Sequence, residues 1–339
     1  MARTQVSFAT CNLFNLNEPG LPIYRDSDGW PLDQYELKVD WLSQTLRSLN
    51  ADIWGFQELW HEQSLQNILE SSGLSETHTA LVPSDHSGQR IVCAAAVRSD
   101  ILVGEPEWIE IFPDDFYLNS GGDDNQTSDI SVQIDSFSRP VLHFEVKPRS
   151  NGKRVHVYVC HFKSKGPTKI YHESWYNKGT HSKHSEGLGS AISTIRRTAE
   201  AAALRMILVN QTKDTDKPVV VMGDINDSQQ SNTLNILTGQ PTYLSGLSKG
   251  GGDADLYSVG TLQEYRSRRD VYYTHVFQNV RESLDHILVS QEFYDNSKKR
   301  MWAFKGATIN NDHLNTKDHK EDGTTDHGIV KATFEYRPA

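Results

Sequence analysis

The segment VVVMGDINDS, Val219 to Ser228, runs four apolar residues straight into Gly-Asp-Ile-Asn-Asp. An uninterrupted apolar run rich in β-branched residues fits a strand covered on both faces, because a half-exposed strand alternates polar and apolar side chains. Polar groups at the exit of such a strand are aimed by a rigid element, and period-two alternation predicts Asp224 and Asn226 on one face. The pattern repeats along the chain. Asn12 follows SFATC, Glu58 follows DIWGFQ and His161 follows VHVYVC, while Asp285 opens DHILVS and Asp326-His327 precede GIVKATF.

Between these segments the elements alternate. QVSFATCNLF reads as a first strand, and ELKVDWLSQTLRSLN sets Val39, Leu42, Leu46 and Leu49 on one helical face. VLHFEVK and RVHVYVCHF flank the turn signal PRSNGK and predict a hairpin, and Ser190 to Asn210 predicts a long helix. Gly166 to Gly189 reads as a long surface loop, a class that is commonly functional. With 339 residues and no internal repeat, length alone permits two domains, and one large α/β domain over residues 1–339 also fits. Cys11, Cys93 and Cys160 each lie in apolar, strand-like stretches without CxxC spacing, which predicts structural thiols.

Charge is uneven. The net charge is -10, which argues against a uniformly basic nucleic-acid coat. Yet Lys147 to Arg205 holds twelve basic against three acidic residues, whereas Glu105 to Asp135 holds nine acidic and no basic ones. No apolar run approaches the roughly 20 residues that span a bilayer. The N-terminus has no apolar signal core, so a cytoplasmic location is expected as sequenced, and a secreted or periplasmic one if a leader was removed.

Singly, each polar strand end has a plain explanation as a turn residue, a helix cap or a satisfied histidine. Together they offer carboxylate and amide oxygens, which match a hard divalent cation, Mg2+ or Mn2+. Histidine and asparagine add donors for charge developing on a phosphoryl group. Phosphate-ester hydrolysis is the reaction class that fits.

In order, CNLF, FQE, CHFKSK, GDIND, SLDHILVS and TTDHG resemble the motifs of the endonuclease/exonuclease/phosphatase superfamily, from Asn12 to His327. The resemblance implies a four-layer α/β/β/α sandwich of two mixed, mostly antiparallel sheets with outer helices. It implies metal binding by Asn12, Glu58 and Asp326, with Asp224 aligning or deprotonating the attacking water and Asn226 donating to a phosphoryl oxygen. Asp285 would orient His327, and His161 would assist the leaving group. Two departures stand out. Related nucleases pair the histidine at position 161 with a glutamate, for which only Gln89 lies in the right region, and abasic-site enzymes carry aspartate where this chain has Phe14.

CHFKSKG with RRTAEAAALR and YTHVFQNVRESLDHILVS resembles bacterial secreted or periplasmic nucleases of the superfamily. SFSRP resembles a deoxyribonuclease segment that places Arg139 on a phosphate. Lys163 and Lys165 would hold flanking phosphates if the strand runs on, and Asp123, Asp124 and Asp129 match the position of a structural Ca2+ loop, for which a plain mobile acidic loop is the first alternative. The expected activity is metal-dependent hydrolysis of nucleic-acid phosphodiesters, DNA preferred, with the basic block lining the groove and neither membrane nor obligate protein partner implied. The alternative is a small-molecule or lipid phosphodiesterase. A non-catalytic module on the same fold ranks behind both.

Overall fold

The computed structural model describes residues 4–24, 27–121, 128–238, 252–267, 269, 273–316 and 318–339. Twelve strands build its two large sheets. In chain order they are β1 (Gln5–Leu16), β2 (Ile53–His61), β3 (His78–Leu81), β4 (Ser87–Arg98), β5 (Leu102–Ile111), β6 (Ser136–Val146), β7 (Val155–His161), β8 (Val219–Asp224), β9 (Tyr257–Ser258), β10 (Asp285–Val289), β11 (Trp302–Asn310) and β12 (Ile329–Tyr336). The helices are α1 (Leu32–Leu49), α2 (Glu62–Ser72), α3 (Ser185–Thr212), α4 (Asn232–Thr238) and α5 (Val259–Arg266).

One sheet has the order β11-β12-β1-β2-β4-β3, the other β9-β10-β8-β7-β6-β5. Each is antiparallel except at its centre, where β1 lies parallel to β2 and β7 parallel to β8. A parallel pair needs a crossover, which α1 and α3 supply. The two central pairs share one consequence: each delivers two strand exits to the same edge of its sheet.

Period two sorts the side chains into three apolar layers. Val220 and Met222 point between the sheets with Val157, Val159, Phe8 and Ile287. Val219 and Val221 point the other way, to Leu204, Leu208 and Leu234 of α3 and α4. Ala9, Cys11, Trp54 and Phe56 meet Leu42, Leu46, Leu65 and Ile68 of α1 and α2. Four layers and three buried interfaces give the expected α/β/β/α sandwich. At Gly55 the sheets approach so closely that a Cβ would stand 3.0 Å from the side chains of both Val159 and Met222.

The hairpin forms as read, with Leu142 opposite Val159 and Val146 opposite Val155. All three cysteines are free and buried. Residues 166–189 are more ordered than a plain loop. A 3-10 turn at Ile170–His172 buries Ile170, a short helix follows at Lys178–His181, and α3 begins at Ser185. Asp123 and Asp124 lie outside the described residues, and Asp129 is exposed. Among the described residues no helix is long and apolar enough to cross a membrane.

Candidate active site

The strand exits converge because their inward-facing phases end in polar residues. Val157 and Val159 lead to His161, Val220 and Met222 to Asp224, and Val289 and Ile287 back to Asp285. Cross-strand register then sets His161, Asp224 and Asp285 side by side on three neighbouring strands. From the opposite sheet, Phe8 and Thr10 lead to Asn12. Glu58 enters differently: the pairing of β2 slips between Phe56 and Leu59, and Glu58 itself adopts a left-handed φ of 61°. Phe14, Asn15 and Asn226 share that conformation, so left-handed backbone clusters at this end of the sandwich.

Asp224 Oδ2 is the hub. It lies 3.2 Å from Asn12 Nδ2, 3.1 Å from Asn226 Nδ2, 3.5 Å from His161 Nε2 and 3.9 Å from His327 Nε2. Gly223 makes this possible, since a Cβ there would sit 1.9 Å from the Cys160 carbonyl oxygen. Asn226 reaches the cluster by a turn and not by strand alternation. β8 ends at Asp224, whose Oδ1 accepts from the Asn226 N–H at 2.8 Å. The Asn226 amide also donates to the Phe162 carbonyl at 3.0 Å, which fixes its rotamer.

His327 Nδ1 lies 2.8 Å from Asp285 Oδ2, leaving Nε2 toward Asp224. Burial alone would lower the pKa of this imidazole, but the charges of Asp285 and Asp224 hold it well above the ordinary value. His161 is the opposite case. Burial, reinforced by the charges of Arg139, His327 and Lys163, drives its pKa well down, and its Nδ1 has no hydrogen-bond partner. Gln89 is not that partner: it is exposed and bonds to Ser87. The carboxylates beside His161 are Asp224 and, at 3.9 Å, Glu58. Phe14, where abasic-site enzymes carry an acid, packs edge-on to Trp30.

Glu58 Oε2 accepts from the Asn15 N–H at 2.9 Å, and Asn15 is held by Trp30 and Trp60. Burial and then the Asp326 charge raise the Glu58 pKa; burial raises that of Asp224, against the pull of His327. Buried carboxylates that crowd one another without enough compensating charge are a poor protein core but a good cation seat. Asp285 Oδ1 adds a buried oxygen with no hydrogen-bond partner. Carboxylate oxygens on Glu58 and Asp326, with no thiolate nearby, suit a hard divalent ion. Asn12 turns its Nδ2 to Asp224, and its Oδ1 accepts from the Phe14 N–H at 2.9 Å, leaving one lone pair for such an ion.

The basic residues divide. Arg139 donates to the Phe162 carbonyl at 3.3 Å, and its charge is felt by Glu58 and His161, so it stands inside the site. β7 stops at His161, so Lys163 and Lys165 do not continue its face. Lys163 Nζ curls back to Ser164 and Gly166, and Lys165 is paired with Glu282 at 2.8 Å and Asp227 at 3.6 Å. Arg197, 4% exposed, clamps the Lys163 and Ser164 carbonyls and pairs with Asp227. Within the basic block, Lys163, Lys165 and Arg197 are therefore tied to protein groups.

Two supporting residues escape a reading of strand ends. Lys38 is fully buried on α1, lies over the Trp30 ring at 4.6 Å and donates to the Thr324 carbonyl at 3.0 Å, in the loop that carries Asp326 and His327. Its signal was a lysine on the apolar face that Tyr35 and Leu42 define. Glu200, also fully buried, accepts from the Ser138 N–H at 2.8 Å and the Lys163 N–H at 2.7 Å. Nothing in its helical context distinguishes it from a solvated glutamate.

A model of the Endonuclease/Exonuclease/phosphatase family matches residues 14–327, and the chain belongs to that family. The fold agrees with solved structures. An endonuclease/exonuclease/phosphatase from Bacteroides vulgatus superposes with a TM-score of 0.56 at 16% identity, covering 99% of this chain and 100% of the other. The human Nocturnin catalytic domain with bound sulfate anion gives 0.56 at 14% identity over 98% and 95%. D. rerio TDP2 complexed with single strand DNA product gives 0.53 at 16% identity over 98% and 100%. At these identities the likeness concerns the fold. No curated protein matches the sequence.

Proposed function

We propose that residues 1–339 act as one domain, a divalent-metal-dependent phosphodiesterase that hydrolyses nucleic-acid phosphodiester bonds, with DNA preferred. One observation carries the reading: four side chains from separate segments meet the single oxygen Asp224 Oδ2 within 3.9 Å, beside the Asp285–His327 pair. Family membership supports it, and neighbours of the same fold include one with a bound sulfate and one with a DNA product.

In this reading Asp224 orients the attacking water and takes its proton. His327, kept protonated by Asp285, donates to the phosphoryl oxygens as charge builds there. Asn226 braces Asp224, and Arg139 meets a non-bridging oxygen. His161, largely neutral, would donate to the leaving oxygen. Glu58, Asp326 and Asn12 would hold Mg2+ or Mn2+, which when bound supplies positive charge to the phosphoryl group.

The test is a panel of plasmid, oligonucleotide and bis(p-nitrophenyl) phosphate substrates, with wild type and Asp224→Ala, each with and without chelator. DNA cleavage that needs Mg2+ or Mn2+, is lost in the variant and weakens steeply with salt is expected. A second reading, a small-molecule or lipid phosphodiesterase, draws on the internal pairing of Lys165 and Arg197, which leaves fewer cations for a long polyanion. Turnover of the small ester without DNA cleavage, or release of phosphocholine from sphingomyelin, favours it.

A further inference from the structure

His275 has no part in the roles above, yet it stands among them. It opens a two-stranded ribbon formed by His275–Phe277 and Val280–Glu282, and its backbone pairs with His327 across an isolated β-bridge. The neighbouring Thr274, fully buried, fixes this placement from three sides. Its hydroxyl accepts from the N–H groups of Leu284 and Asp285 at 2.9 and 3.2 Å, and its carbonyl accepts from the Gly328 N–H at 2.6 Å. His275 is therefore bolted between the two segments that supply Asp285 and His327.

The His275 ring lies 4.8 Å from the His327 ring, centroid to centroid, inclined at 42°. Donor atoms of His275, Asp326 and His327 all fall within 4.8 Å of one another. These three are not equivalent. His327 Nδ1 is engaged by Asp285, and its Nε2 faces Asp224. Among the described residues neither ring nitrogen of His275 hydrogen-bonds to protein. The free donors of the trio are thus one imidazole nitrogen and the Asp326 carboxylate.

We propose that His275 and Asp326 together form a mixed nitrogen–oxygen seat for a first-row transition ion of the Mn2+ class, adjoining the oxygen-only position of Asn12 and Glu58. The inference rests on the metal-dependent reading above and deepens it. Mg2+ binds oxygen donors and retains its waters, whereas Mn2+, though it too favours oxygen, is a first-row transition ion that accepts an imidazole in a mixed set more readily. A nitrogen ligand at this position makes the centre discriminate between two ions that oxygen donors alone would hold similarly.

The experiment uses the full chain freed of metal and reloaded with Mn2+ or Mg2+ alone. Calorimetry gives both dissociation constants, and pulsed electron paramagnetic resonance of the Mn2+ form reports nitrogen coupled to the ion. His275→Phe keeps a ring against His327 but removes both nitrogens. His275→Gln repeats the test if the metal-free melting temperature of the phenylalanine variant falls. The expected result is a loss of Mn2+ affinity of about tenfold or more, with Mg2+ affinity unchanged and the nitrogen modulation reduced. Unchanged Mn2+ affinity and an intact nitrogen signal in both variants would overturn the inference, as would an equal loss for both ions. Should Asp326→Asn still weaken both ions in that case, the metal-dependent reading survives. If the wild type binds neither ion, the reading and the inference fall together.

Discussion

Strand β7 carries a histidine beside carboxylates at each end, and the two ends have opposite fates. At the start, His156 lies 3.6 Å from Glu145, bonds to His143 and Gln211, and faces a surface of matched ion pairs such as Arg154–Glu145 and Lys153–Asp216. Five residues on, about 16 Å along the strand at ~3.3 Å per residue, His161 turns Nε2 to Asp224 and Glu58, and among the described residues its buried Nδ1 has no hydrogen-bond partner. Both ends are dense in ionisable groups, so density does not mark the site. What differs is convergence. At the second end Asn12, His161, Asn226 and His327 crowd one buried carboxylate oxygen of Asp224, and among the described residues no lysine or arginine pairs with it. At the first end each carboxylate has its own exposed cation.

The difference breaks most visibly by mutation at the hub. Asp224→Asn is expected to lower kcat by about 10²–10⁴-fold with DNA while leaving the melting temperature within a few degrees, whereas His156→Gln leaves kcat unchanged. Comparable losses from both would erase the contrast. Asp285→Asn comes next. It keeps the shape but removes the charge that holds His327 protonated, so the alkaline limb of the kcat profile should move to lower pH, read from initial rates.

Stability tells the ends apart more quietly. Lys38→Met leaves the Thr324 carbonyl without its donor under the site, and urea unfolding should report a loss of about 1–3 kcal/mol. Arg154→Ala at the far end, which removes an exposed ion pair, should cost ~0–1 kcal/mol. The pH dependence has opposite signs. Burial lowers the His156 pKa to about 4, so the unfolded chain protonates first, and this contribution, full above about pH 6.5, is lost as pH falls through about 4. Burial raises Glu58 and Asp224, so in the metal-free protein their contribution is present at low pH and lost as pH rises through their folded pKa values. His156→Gln should flatten the first slope alone, as melting temperatures across pH would record.

Legibility followed the same division. The buried strands announce themselves by continuous apolar runs with Asp224, His161 and Asp285 at their polar ends, whereas the four layers follow from the family resemblance and not from the runs themselves. Glu58 came from position, although the slip in β2 that turns it inward left no mark. Charge is legible only as a count: the block of twelve basic residues shows in the sequence, whereas the pairing of Lys165 and Arg197 with Asp227 depends on segments far apart in the chain. Glu200 and Thr274 are hidden because their work is to hold backbone atoms distant in sequence, and Lys38 shows only as a lysine on an apolar helical face.

Glu200 links two parts of the cleft that the chain keeps far apart. One carboxylate, rooted in the middle of α3, grips the backbone one residue before Arg139 and two residues after His161. The guanidinium and the imidazole are thereby yoked to a common beam, and any sliding of α3 along its axis carries both of them in the same direction.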